Sequence, residues 1–214
     1  CSRTVRHAPL HSLRRAEQIM AMPAQARRHW TPDDVRALMD ESRASPRYEL
    51  ICGELVVTPA PGIEHQLAVS ELHRSLAEFC DREQLGVALF SPSDIELVEG
   101  WITQPDVFVV PNAVLPADDT RMNWRLVDSL LLAVEVLSPS SVRMDRVEKR
   151  DHYLSNGVAE YWIVDLDARH VERWYADRPT PTLARESLTW CPPVARSELH
   201  IDLPRFFTTV SGKL

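Results

Sequence analysis

Two carboxylates stand where a folding chain does not put a charge without compensation. Glu135 interrupts Leu130-Leu131-Leu132-Ala133-Val134-Glu135-Val136-Leu137, the most apolar stretch of the chain. Asp106 opens Val107-Phe108-Val109-Val110 directly after Gln104-Pro105. An ionised carboxylate in a dry interior is costly unless it is paired or bound to a metal. Two acids carried on two core strands can share one divalent cation, and hard oxygen ligands suit magnesium or manganese. The bland alternative stays open, with each acid at a strand end facing water. A third group follows closely in sequence. In Val142-Arg143-Met144-Asp145-Arg146-Val147-Glu148-Lys149-Arg150-Asp151 a helical spacing puts Asp145 and Lys149 on one face, and Arg146 and Arg150 on another. Most of these charges read as a solvated face laced with ion pairs. Lys149, only a short way beyond the Glu135 strand, can turn back over its end. There it would orient a water or stabilise charge developing on a phosphoryl group.

The elements that must hold these groups can be read from pattern. Thr31-Pro32-Asp33-Asp34 is a helix start, with Thr as cap, Pro at the first position and two acids at the positive end of the dipole. That helix carries Val35, Leu38 and Met39 and stops before Ser45-Pro46. Residues 47–57 form two apolar arms about Cys52-Gly53, the pattern of a β-hairpin. Leu67, Leu72, Leu76 and Phe79 recur at helical spacing over residues 64–84, with Gly86 as the stop. His65 and His73 fall on this helix and read as solvated or core-edge residues rather than metal ligands. Strands are expected at 87–90, 94–98, 107–110 and 130–137, with a polar loop over 111–128. A helix at 142–155 ends at Asn156-Gly157, and strands at 161–164 and 171–175 pair through the turn at 166–169. The Pro-rich remainder closes with a strand and a short amphipathic segment near Phe206-Phe207. This order gives an α/β chain, a mixed sheet flanked by helices, with no internal repeat.

Composition narrows the function classes. A length of 214 residues suits one domain with trimmings. No apolar run reaches the ~20 residues that span a bilayer, and no secretory signal is evident. The four cysteines lack a C-x-x-C pair and the eight histidines lack H-E-x-x-H spacing, which disfavours zinc sites and a disulfide framework. Reduced thiols suit a cytoplasmic protein. The net charge of −7 argues against a protein that coats nucleic acid. Its distribution is uneven: residues 1–30 carry +5 and residues 31–214 carry −12. Cys1 does not initiate translation, so the sequence is read as a fragment or as a translation that begins too early, with Met20 and Met22 as candidate starts, and residues 1–30 are expected to be a disordered or vestigial basic tail. A basic arm touching nucleic acid is the alternative. Residues 31–214 are then the folded domain.

Four separated segments resemble the Uma family of bacterial restriction-endonuclease-like proteins. They are Arg47-Tyr48-Glu49-Leu50-Ile51-Cys52-Gly53-Glu54-Leu55, Gln104-Pro105-Asp106-Val107, Val134-Glu135-Val136-Leu137-Ser138-Pro139-Ser140-Ser141 and Glu160-Tyr161-Trp162-Ile163-Val164-Asp165. The resemblance runs in the same order over about residues 31–205. It implies a restriction-endonuclease-like core of the PD-(D/E)XK type. Pro105-Asp106 matches its first half and Glu135-Val136-Leu137 its second strand. Leu137 stands where the wider superfamily carries lysine, and Lys149 matches a lysine moved to the next helix. Gln104 precedes the motif and would help to position it. Glu54 matches a recurrent family acid, Glu49 is a second candidate, and Cys52 replaces an aspartate in the turn. The implied reaction is metal-assisted hydrolysis of phosphodiester bonds. Asp106, Glu135 and the Val136 carbonyl would hold Mg2+ or Mn2+, and Lys149 would orient the attacking water.

Two other classes remain. One is a relative on the same fold that binds nucleic acid or assembles without cleaving, favoured by the acidic body and the missing strand lysine. The other is a hydrolase of small phosphoesters. DNA is the expected partner and a membrane is not. Trp162, Trp174 and Tyr175 are read either as an exposed apolar face serving a homodimer or as a core of cross-strand aromatic pairs.

Overall fold

The computed structural model describes residues 29–41, 46–115 and 127–212. Of the expected basic tail, only His29 and Trp30 fall among them. Part of the polar loop over 111–128 also lies outside them.

Thr31 and Asp34 cap α1 (Pro32–Glu41) reciprocally. The Asp34 backbone N–H donates to Thr31 Oγ1 at 3.2 Å, and the Thr31 N–H donates to Asp34 Oδ2 at 3.0 Å. The hairpin β1 (Arg47–Ile51) and β2 (Glu54–Thr58) turns through Cys52 and Gly53, at φ 53° and 74°. Two successive positive φ values match the right-handed twist of paired strands. α2 (Ile63–Glu83) buries Ala68, Val69, Leu72, Leu76, Phe79 and Cys80. Its end differs from the sequence expectation. Gln84 turns left-handed at φ 57° and stops the helix, whereas Gly86 opens β3 (Gly86–Phe90). A Cβ on Gly86 would lie 2.0 Å from the Val110 carbonyl oxygen, so the glycine serves strand packing.

The remaining strands are β4 (Ile95–Val98), β5 (Trp101–Thr103), β6 (Val107–Pro111), β7 (Leu132–Val136), β8 (Glu160–Asp165), β9 (His170–Trp174), β10 (Thr182–Ala184), β11 (Ser187–Trp190) and β12 (Leu199–Asp202). α3 (Arg150–Ser155) and α4 (Leu203–Val210) complete the set. One element differs in kind. The helix expected over 142–155 is a π-helix, Met144–Lys149, running into α3. π-turns are rare and cluster at functional sites.

Among the described residues a sheet in the order β10-β9-β8-β7-β6-β3 forms the centre, and β2-β1-β5-β4 form a second. β7 and β8 are parallel, joined by the π-helix and α3; their neighbours pair antiparallel. Alternation along the central strands makes two cores. Val134, Val136, Trp162 and Val164 face α2 and α4, while Ala133, Tyr161 and Ile163 face α3 with Tyr153. Glu135 alternates with Val134 and Val136, so it belongs to the α3 side. Trp162 is fully buried and Trp174 nearly so. These two rings are core, which removes them from any exposed dimer face. No helix among the described residues is long and apolar enough to cross a membrane.

Candidate active site

A cleft of about 830 Å³ opens where the two sheets meet, lined in part by Arg47, His65, Asp106, Glu135, Asp145 and Lys149. Its rim is made by the β2–α2 connection and by Ser138-Pro139-Ser140-Ser141. Asp106, Glu135 and Lys149, three of the four side chains picked out by sequence, are 3%, 3% and 5% exposed and all line it.

Asp106 is tied to three elements. Arg47 on β1 donates to its Oδ1 at 2.9 Å, His65 on α2 donates from Nε2 to its Oδ2 at 3.0 Å, and the Val136 backbone N–H on β7 reaches the same oxygen at 2.9 Å. Burial pushes this carboxyl up, but His65, Arg47 and the Val136 N–H outweigh it and bring it to about 2. Asp106 is therefore ionised. His65 Nδ1, on the far side of the ring, has no hydrogen-bond partner among the described residues.

Lys149 lies among three acids. Its Nζ is 3.0 Å from Glu49 Oε1, 3.1 Å from Glu135 Oε1 and 3.6 Å from Asp145 Oδ1. The Tyr153 hydroxyl also donates to Glu135 Oε1, at 3.4 Å. Burial would lower the Lys149 pKa, yet Glu135, Glu49 and Asp145 together hold it well above its ordinary value. Glu135 moves in the same direction. Burial raises it, Lys149 opposes, and Asp145, Asp106 and Glu49 add to the rise. One ammonium does not balance so many carboxylates. Asp145 is raised too, by burial first, against Lys149 and a hydrogen bond from Ser141.

Glu54, the other sequence candidate, is on β2, exposed, and not among the residues that line the cleft. Glu49, on the paired strand, is buried and accepts the Gln104 backbone N–H at 2.7 Å. Gln104 reaches Asp94 Oδ1 at 2.7 Å through its own amide, so it braces the approach to Asp106. Sequence reasoning did not single out Arg47, and it read His65 only as a solvated or core-edge residue, which the structure places half-buried against Asp106. A signal for His65 existed: it stands at helical spacing with Val69, Leu72, Leu76 and Phe79, a polar residue on a buried stripe.

The charge balance bears on a cation. Four buried carboxylates, Glu49, Asp106, Glu135 and Asp145, face two full cations, Arg47 and Lys149. Asp145 Oδ1 is buried without a hydrogen-bond partner among the described residues. An excess of hard oxygen donors of this kind suits a divalent cation. The described residues hold no group of three or more His, Cys, Asp or Glu arranged to take a metal ion by themselves. Magnesium needs no such cage, since it commonly binds through one or two carboxylates and retains waters. The residues present fit it on those terms.

A mixed sheet flanked by helices, with buried acids and a lysine at the edge of a cleft, defines a restriction-endonuclease-like α/β protein. The family Uma2, described as "Putative restriction endonuclease", matches residues 32–203, and the chain belongs to it. A solved structure described as a "putative nuclease belonging to DUF820", from Anabaena variabilis ATCC 29413, shares the fold. It is 19% identical with a TM-score of 0.66, over 77% of this chain and 92% of that one. No protein of curated function matches the chain.

Proposed function

We propose that the protein is a divalent-metal-dependent endonuclease that hydrolyses DNA phosphodiester bonds. The observation that carries this reading is that buried Asp106, Glu135 and Lys149 line one open cleft, with Lys149 Nζ 3.1 Å from Glu135 and Asp106 accepting the N–H of the adjacent Val136. Asp106, Glu135 and the Val136 carbonyl would hold Mg2+ or Mn2+, which when bound acts as a Lewis acid on the phosphoryl oxygen and acidifies water. Arg47 and His65 keep Asp106 ionised and fixed in direction. Lys149, charged throughout the neutral range, orients the attacking water by donating to it and offsets charge that builds up on the phosphate. The β2–α2 connection and residues 138–141 line the cleft beside these groups. The test is nicking of supercoiled DNA in Mg2+ or Mn2+ by the wild type and by Glu135→Gln. Metal-dependent nicking that the variant lacks supports the proposal. Equal nicking by both would come from a contaminant and end it.

A second reading has its own support. Both Asp106 oxygens already accept hydrogen bonds, from Arg47, His65 and the Val136 N–H, and these compete with metal ligation. A protein that binds nucleic acid without cutting it would tolerate such a site. Salt-sensitive DNA binding with no cleavage in either metal would favour it.

A further inference from the structure

The chain contains 24 lysines and arginines, and only two of them, Lys149 and Lys213, are lysines. Arginine is thus the default cation of this protein, and position 149 departs from it. The departure occurs at the most enclosed cation site. Lys149 is 6% exposed at its side chain, and its three acids come from different directions. Glu135 belongs to β7, Glu49 to β1 of the second sheet, and Asp145 to the start of the π-helix that ends at Lys149 itself. Two sheets and a helix therefore converge on one ammonium.

Stability alone does not explain this arrangement. A buried cluster of charges is commonly less stable than an apolar packing of the same volume. The π-helix adds a second departure from the most stable geometry at the same place. The Tyr161 hydroxyl donates to the Asp145 backbone carbonyl at 3.0 Å, supporting the backbone of this turn. Glu49 is fixed in its turn by the Gln104 N–H. A compact ammonium is a point charge that can be aimed, whereas a guanidinium is a broad planar fork.

Resting on the nuclease reading above, we infer that Glu49 and Asp145 are positioning residues of the reaction. They hold the Lys149 ammonium beside Glu135 and act on the rate only through it. Glu49, rather than Glu54, is then the third acid that the site requires. Asp145 does the same from within the π-helix, four residues before the lysine.

The test is a set of variants on the full chain: Glu49→Gln, Asp145→Asn, Lys149→Arg, Lys149→Met and the pairwise combinations. Each single change at Glu49 or Asp145 lowers kcat about tenfold or more and leaves KM within about twofold, as expected for a residue that supports a catalytic group. In the Lys149→Arg background, which keeps the charge, neither change lowers kcat further. The inference is overturned by wild-type kcat in Glu49→Gln and Asp145→Asn, or by equal losses in the wild-type and Lys149→Arg backgrounds. If the wild type cleaves no DNA in either metal, the nuclease reading fails by itself. The cage is then judged by urea unfolding of Glu49→Gln, Lys149→Met and the double variant. Coupling of about fivefold or more in the unfolding equilibrium supports it, and additive effects overturn it. Should Lys149→Met not fold, Lys149→Arg serves in the same cycle.

Discussion

Glu135→Gln separates what the site costs from what it does. Glu135 is raised above its ordinary range by burial and by Asp145, Asp106 and Glu49, despite Lys149 beside it. An acid whose folded pKa is raised weakens the fold once it must ionise there. The effect is complete above the folded value and absent below the unfolded one. Glutamine keeps the shape and removes the charge. Lys149 is not orphaned by the change, since Glu49 and Asp145 remain at 3.0 and 3.6 Å. Replacing one member of an over-supplied buried charge cluster stabilises by about 1–3 kcal/mol. For a chain of this size that corresponds to a rise of about 3–10 °C in Tm. A divalent cation reverses the comparison. At about 100 times its Kd it adds about 2.7 kcal/mol to a fold that binds it and less to one that has lost a ligand. Thermal melts near neutral pH, with and without Mg2+, are the assay. The variant is expected to be the more stable in chelator, and the wild type to gain more from the cation. A variant that melts below the wild type in chelator refutes the charge argument. Identical Mg2+ shifts in the two proteins refute Glu135 as a ligand.

Two further predictions concern the scaffold. Burial holds the His152 imidazole down at about 4, with Trp101 stacked on it at 4.2 Å. Its contribution to stability is complete above the ordinary histidine value of 6.5 and is lost as pH falls toward 4. The loss is about 2 kcal/mol after allowing for partial solvent screening, and His152→Gln should flatten the Tm profile over that interval. An unchanged slope would count against it. Gly86→Ala drives a Cβ to within 2.0 Å of the Val110 carbonyl at a backbone φ of 152°. A loss of about 2–4 kcal/mol in urea unfolding is expected, and an unchanged midpoint would show that β3 can move away from β6.

How much of this could be read before folding depends on how local the signal is. Glu135 announces itself because its neighbours are apolar on both sides, and a strand so apolar is buried whatever its partners are. The hairpin over 47–57 is legible because Cys52-Gly53 has both arms beside it. Lys149 is half-legible: spacing puts it with Asp145 and its place after the Glu135 strand lets it turn back over that strand, and the family resemblance adds a match for the lysine alone. The π-helix is invisible, since its sequence reads as an ordinary helix. Short strands such as β5, β10 and β11 carry too few residues to show a period.

Arg47 was hidden for a different reason, and Glu49, a candidate only through the family resemblance, could not be placed for the same one. They sit in a strand whose residues alternate between the second sheet's own small core and the cleft. Leu50 is packed with Val35 and Ile102, whereas Glu49 and Arg47 are turned toward groups 55 or more residues away. Nothing nearby in sequence distinguishes such a pair from a solvated strand face. The distinction is made by tertiary contacts, when the second sheet docks against β6 and β7. That docking is also what the charges require. Without β1, Asp106 would lose Arg47 and Lys149 would lose Glu49, leaving the central sheet with more buried acid than it could neutralise. On the proposed reading the β1–β2 hairpin is then part of the site, through the Arg47–Asp106 and Glu49–Lys149 ion pairs. Removing it should cost the fold as well as the reaction.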